Sequence, residues 1–122
     1  MSVTNWIAVA TGAVLGAWLR WWLSIWLNSI GQTLPYGTLF SNWLGCLIMG
    51  IALSLPLPEW LKLLLITGFL GSLTTFSSFT AEWVHALLQP KGNVWLLLLT
   101  HLTGGAAMLL LGARIVRWFQ AA

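Results

Sequence analysis

Aspartate is absent from this chain, and charge of either sign is scarce. The 122 residues include two glutamates and five Lys or Arg, so only 6% of the sequence is charged. A soluble domain carries roughly 25%. Too few charged side chains are present to cover a water-facing surface. With 59% hydrophobic residues and a mean hydropathy of +0.89, the chain belongs in a bilayer. The lack of Asp also removes any Ser/His/Asp arrangement, and no His/Cys/Glu group has metal-ligand spacing, so the chain reads as no enzyme. A single cysteine, Cys46, rules out an intrachain disulfide, and its apolar flanks make it a packing residue. Arg20, Lys62, Lys91, Arg114 and Arg117 form no patch, so the net charge of +3 does not mark a nucleic-acid surface.

What is abundant is apolar sequence in long runs. A spanning helix needs about 20 mainly apolar residues. Four segments qualify, 6–27, 37–55, 59–88 and 94–119, and together they make one all-α transmembrane domain over residues 1–122. The first has no basic leader and is long enough to span, so it reads as a retained helix and not a signal peptide. Turns are expected at Asn28 to Pro35, at Pro56-Leu57-Pro58 and at Gln89 to Asn93, where Gly and Pro end the helices. Trp6, Trp26, Trp60, Trp95 and Trp118 fall at the expected helix ends, where amphipathic rings favour the interface. Trp18, Trp21, Trp22, Trp43 and Trp83 read as lipid-facing or packing bulk.

Small residues recur at contact spacing: Gly12 and Gly16 in the first span, Gly37, Ser41 and Gly45 in the second, Gly104, Gly105 and Gly112 in the fourth. Such residues let helix backbones approach closely in lipid. They point to tight bundling and to a partner. Four spans put both termini and the second loop on one side, with Lys62, Arg114 and Arg117; Lys91 lies on the other, and Arg20 is too deep to assign. So weak a bias fits either one topology with cytoplasmic termini or insertion both ways, with copies paired antiparallel.

Polar residues at membrane depth are costly unless they line a path or bind something. The third span holds a block of them, Gly68-Phe-Leu-Gly-Ser-Leu-Thr-Thr-Phe-Ser-Ser-Phe79. Gly68, Gly71, Ser72, Thr74 and Thr75 are poor helix formers as a group, so the helix is expected to break between about Gly71 and Thr75. The freed carbonyls would suit a small cation. The alternative is a bent, continuous helix with hydroxyls bonded to their own backbone. Phe76 and Phe79, three apart, share one helical face, and Thr75 and Ser78 share an adjacent one. Phenyl rings carry a positive edge, so rings beside hydroxyls and an amide can hold a small anion; simple packing is the other reading. Asn42 in the second span, with Thr38 one turn earlier, can supply the amide or act as interhelical glue. Glu82 and His85 are three apart, which fits an ion pair near the interface or a proton relay. Arg20 either snorkels to the nearer interface or faces a polar cavity and draws anions.

Three blocks together resemble the CrcB/Fluc family of fluoride channels. They are Gly12-Ala-Val-Leu-Gly-Ala-Trp-Leu-Arg20, Gly37-Thr-Leu-Phe-Ser-Asn42-Trp-Leu-Gly45-Cys-Leu-Ile-Met-Gly50, and Gly68 to Phe79 followed by Glu82. They occur in order across nearly the whole chain, and Thr-Thr-Phe-Ser-Ser-Phe is the most diagnostic. The resemblance implies a passive fluoride channel of a bacterial-type inner membrane that lowers cytoplasmic fluoride. It implies an antiparallel, dual-topology homodimer with two pores, each built from both chains. It further implies a structural sodium ion at the dimer centre, held by the backbone carbonyls of Gly71 and Thr74. Phe76 and Phe79 would be the pore rings and Asn42 the pore amide. Thr38, Thr75, Ser78 and Thr100 are the hydroxyls expected along the path, and Arg20 and Glu82 match the family's charged positions. The fourth span departs from the family pattern: Leu96 stands where a Tyr is expected, leaving Thr100, His101, Thr103 and Gly104 as its polar candidates. The rival from another class, a small four-helix proton-coupled multidrug exporter, needs an acid in its first helix, and residues 1–27 contain none.

Overall fold

The computed structural model describes residues 1–31 and 34–122, so Gln32 and Thr33 of the first expected turn lie outside the described residues. The described elements are helical. Helix α1 (Val3–Leu27) starts earlier than its apolar run because the Ser2 side chain caps it, accepting from the Asn5 amide at 3.3 Å. Helix α2 (Tyr36–Leu53) follows Pro35 and stops just ahead of Pro56 and Pro58. The third span (Glu59–Leu88) is composite. It runs as α3 (Glu59–Lys62), a π-helical stretch (Leu63–Leu70), a single turn α4 (Gly71–Leu73) and, after an interruption, α5 (Phe76–Leu88). Helix α6 (Val94–Ala121) is capped by Asn93, whose side chain accepts from the Leu96 amide. The four helical spans, as expected from their hydropathy, are long and apolar enough to cross a membrane.

Helices pair in two layers. Helix α1 lies along the π-helical stretch and α4, whereas α2 lies along α6 and also contacts α1. Beyond the interruption, α5 packs on α6 and α2 instead. The first half of the third span thus leans on α1 and the second on α6, with α2 touching both, and the break is where the chain passes from one layer to the other.

The recurring small residues make these contacts within the subunit. A Cβ at Gly12 would strike the Leu64 carbonyl, and one at Gly16 the Phe69 carbonyl; Gly68 faces the Val9 carbonyl in return. Gly50 and Gly112 do the same between α2 and α6, against the Leu109 and Leu47 carbonyls. The stripe that suggested a partner is therefore largely used inside one chain. The π-helical stretch, which the sequence did not announce, lies against the α1 glycines, where the two backbones touch with no side chain between them. Gly71 is different: it is exposed, and a Cβ there meets only the Ile66 carbonyl at an ordinary 3.7 Å.

The buried core is thin and divided. Leu23, Leu70 and Leu73 form one cluster between α1 and the third span; Leu34, Leu39, Phe79 and Leu97 form the other, flanked by Trp43 and Trp83. Trp18, Trp21 and Trp22 point outward, as do the tryptophans at the helix ends. An apolar exterior of this kind matches lipid. Gly16→Ala should destabilise the subunit by about 1–3 kcal/mol through overpacking. Gly71→Ala, which meets only an ordinary contact at helical backbone angles, should leave the subunit as stable or more stable by about 0.4–1 kcal/mol. Denaturant titration of both variants in micelles checks the contrast.

Candidate functional site

The third span breaks at two residues. Thr74 (φ −82°, ψ 150°) and Thr75 (φ −147°, ψ 117°) are extended, which places the break at the end of the window expected from sequence. Two sets of bonds hold it open. The Thr75 side chain caps α5, accepting from the Ser78 amide at 3.2 Å. The Asn42 side chain of α2 pairs with both peptide groups that flank Thr75: its Oδ1 accepts the Thr75 N–H at 2.7 Å, and its Nδ2 donates to the Thr75 carbonyl at 3.2 Å. Asn42 replaces the helical partners that Thr75 has given up. Gly45, one turn on, leaves room for the Thr74 methyl group, which a Cβ would strike.

The same bonds decide which carbonyls are left over. In a continuous helix the Thr75 amide would serve the Gly71 carbonyl, and the Ser78 amide the Thr74 carbonyl. Here those amides go to Asn42 Oδ1 and Thr75 Oγ1 instead. The Ser72 carbonyl, also freed, accepts from Arg20 Nε at 2.9 Å. Arg20 thus neither simply snorkels nor faces only a cavity; it reaches across from α1 to the broken segment. The carbonyls of Gly71 and Thr74 remain without those helical amides.

Around Asn42 the structure gathers several of the expected residues. The Phe76 and Phe79 rings lie 6.1 Å apart and tilted by 60°. Phe79 is buried, but Phe76 is 78% exposed, so the pair spans from the helix interface to the outer face of the subunit. Asn42, Thr74, Thr75, Phe76, Phe79 and His101 all line an open groove of about 390 Å³. One turn away, buried Thr38 donates from Oγ1 to Glu82 Oε1 at 2.5 Å. Glu82 Oε1 therefore pairs with the Thr38 hydroxyl across from α2. Ser78 enters through its amide, as part of the cap.

The fourth span contributes differently from expectation. Thr100 bonds its hydroxyl back to the Leu96 carbonyl at 2.6 Å, while its own carbonyl accepts from Trp43 Nε1 at 3.0 Å. The side chain that reaches the group is His101. Its ring stacks on Phe79, with centroids 4.4 Å apart, and its Nδ1 lies 3.3 Å from Asn42 Nδ2. The signal for it in the sequence was its depth: an imidazole in the middle of a span needs a polar neighbour. Three buried polar atoms near this cluster have no partner among the described residues: Glu82 Oε2, Trp83 Nε1 and His101 Nε2.

The profile of the family described as CrcB-like protein, Camphor Resistance (CrcB), matches residues 7–113. The chain belongs to the CrcB family. It is 46% identical to the fluoride-specific ion channel FluC of Ralstonia pickettii, with 98% of this chain and 100% of that protein aligned. It is 44% identical to FluC of Nitrosospira multiformis over 91% of both chains, and 43% identical to FluC of Haemophilus ducreyi over 94% of both. With four spanning helices, this CrcB member is a multi-pass membrane protein. Asn42→Ala should strand the Thr75 N–H, at a local cost of about 1–3 kcal/mol. Faster hydrogen exchange at the Thr75 amide than in the parent protein is the expected result.

Proposed function

We propose that this CrcB-family protein is a passive, fluoride-selective channel and not an enzyme. The observation that carries the reading is the groove in which an asparagine-clamped helix break meets the Phe76–Phe79 pair, in a chain so close to proteins named for fluoride conduction. The chemistry suits a small anion. Ring edges, hydroxyls and amide N–H groups offer partial positive charge without a full one. A dehydrated ion needs such contacts to enter, and they must stay weak enough for it to leave. Asn42, Thr38, Thr75, Ser78, Phe76 and Phe79 are the residues assigned to the path; Thr100 borders it through its backbone contact with Trp43. Fluoride that enters the cell as neutral HF and dissociates would leave down its electrochemical gradient, which places the channel in the inner membrane. Proton-coupled drug export finds no support here, because α1 carries no acid.

The working unit is read as an antiparallel homodimer of dual topology. Phe76 and Gly71 are exposed, and the groove that Phe76 lines is open and largely apolar with a few polar groups, which favours a second copy as its missing wall. The weak charge bias between loops favours insertion both ways. A structural sodium ion between the copies fits the residues present. Its ligands would be the Gly71 and Thr74 carbonyls that the break leaves without helical amides. Among the described residues no group of three His, Cys, Asp or Glu could hold a transition metal, and carbonyl oxygens suit a hard monovalent cation. When bound, the ion would supply fixed positive charge and join the two break segments.

Reconstituted in liposomes, the protein should release fluoride to an external electrode and retain chloride; comparable chloride release would rule the reading out. Phe79→Ile removes a ring-edge contact of the order of 1 kcal/mol and should slow fluoride release roughly tenfold. Release at the parent rate would show that the ring only packs. Reporters fused to the C-terminus should be found on both sides of the membrane, and a single location would exclude the antiparallel dimer.

A further inference from the structure

Asn42 can do its work only in one of its two amide orientations. With Oδ1 toward the Thr75 N–H and Nδ2 toward the Thr75 carbonyl, both peptide groups are satisfied. Turning the amide over would set donor against donor and acceptor against acceptor. The Thr75 peptide selects the correct orientation, but it does not use all of Asn42. The NH₂ group has two hydrogens, and the second points to His101 Nδ1 at 3.3 Å. Nδ1 must then be an acceptor. In a neutral imidazole with an accepting Nδ1 the proton sits on Nε2. A doubly protonated ring would bring an N–H against the Asn42 NH₂, and relieving that clash would mean turning the amide and losing the Thr75 bond.

The imidazole is itself held from three directions. It is only 8% exposed, it stacks on Phe79 at 4.4 Å, and α6 fixes its backbone against α2, where Trp43 bonds to the neighbouring Thr100 carbonyl. A ring so restrained is a fixed acceptor, and a fixed acceptor can lock a rotatable amide. We infer that His101 is a positioning residue: its neutral Nε2–H tautomer pins the Asn42 amide and, through Asn42, the Thr74–Thr75 break beside the Phe76–Phe79 pair. The consequence for transport rests on the fluoride-channel reading, but the lock itself does not.

The test uses the full-length protein in lipid nanodiscs. Nitrogen-15 spectra of the unmodified protein should show His101 Nδ1 unprotonated and hydrogen-bonded, and Nε2 protonated. The reverse tautomer, or a charged ring at neutral pH, would overturn the inference without any mutant. His101→Leu keeps apolar contact with Phe79 and removes the acceptor. Exchange of the Thr75 amide should then rise about tenfold, as expected when a buried hydrogen bond is lost. His101→Asn places Oδ1 close to where Nδ1 lies, and should bring both Thr75 protection and fluoride release back toward the parent values. Thr75 protection unchanged in His101→Leu, or not recovered in His101→Asn, would overturn the lock. If the exchange and tautomer results hold while no fluoride passes, the channel reading fails and the lock stands.

Discussion

The arrangement depends on one side-chain amide paired with the backbone N–H and C=O of one residue. At membrane depth no water is available to satisfy a backbone that leaves its helix, so each freed N–H and C=O must find protein. Asn42 meets that demand at Thr75 by offering both an acceptor and a donor on one rigid plane. Among side chains that are neutral without a proton shift, the carboxamide sets its acceptor and donor side by side at this spacing. Once the Thr75 peptide is held, the rest follows from geometry. The Ser78 amide turns to the Thr75 hydroxyl, α5 restarts on a new axis, and Phe79 is carried to the α2/α6 side of the bundle.

Much of this was legible in the sequence because the bilayer constrains so strongly. Four runs of apolar residues gave four spans, since nothing else can cross lipid without water. The break was legible because Gly, Ser and Thr accumulate where a helix needs good formers, and the structure places it at the last two residues of the window. The importance of Asn42 could be read, but not its partner, because a bond across 33 residues of sequence leaves no periodic trace. Of the polar candidates on the fourth span, His101 and not Thr100 reaches Asn42 with its side chain, for a local reason. A threonine in a helix can satisfy its hydroxyl on the preceding turn, as Thr100 does, whereas an imidazole ring cannot and must reach outward. The Glu82–His85 pair was likewise a reading along one helix, whereas Glu82 Oε1 bonds a hydroxyl on another. The π-helical stretch had no signature at all; residues 63–70 look like any apolar helix.

The single chain is complete as a fold but one-sided as a site. Its glycine contacts are spent internally, joining α1 to the third span and α2 to α6. What stays uncovered is not the glycine stripe but the broken segment itself, with Gly71 and Phe76 facing outward and the groove open beside them. An ordinary lipid-facing surface is apolar throughout, as the α1 tryptophans are. A surface that presents carbonyls from a helix break is poorly suited to lipid and well suited to a symmetric neighbour with the same need.

Charge placement makes the same distinction from another direction. An anion path lined by free cations would bind its ion tightly and release it slowly, whereas neutral donors hold it loosely. Among the described residues Arg20 is the one formal positive charge bonded to the broken segment, and its Nε is engaged by the Ser72 carbonyl, away from the Phe79–His101 stack on the other layer. The acid at the site, Glu82, shares its Oε1 with Thr38. His101, the remaining ionisable group, is restricted by Asn42 to its neutral form. Arg20, Glu82 and His101 are thus each tied to a polar partner through one atom, while Glu82 Oε2 has none among the described residues. The same part of the fold that keeps the helix broken therefore also holds the charged groups near it in fixed places. In this chain Asn42, Thr75 and His101 form one network, so support of the break and the placing of polar groups in the groove are not separable.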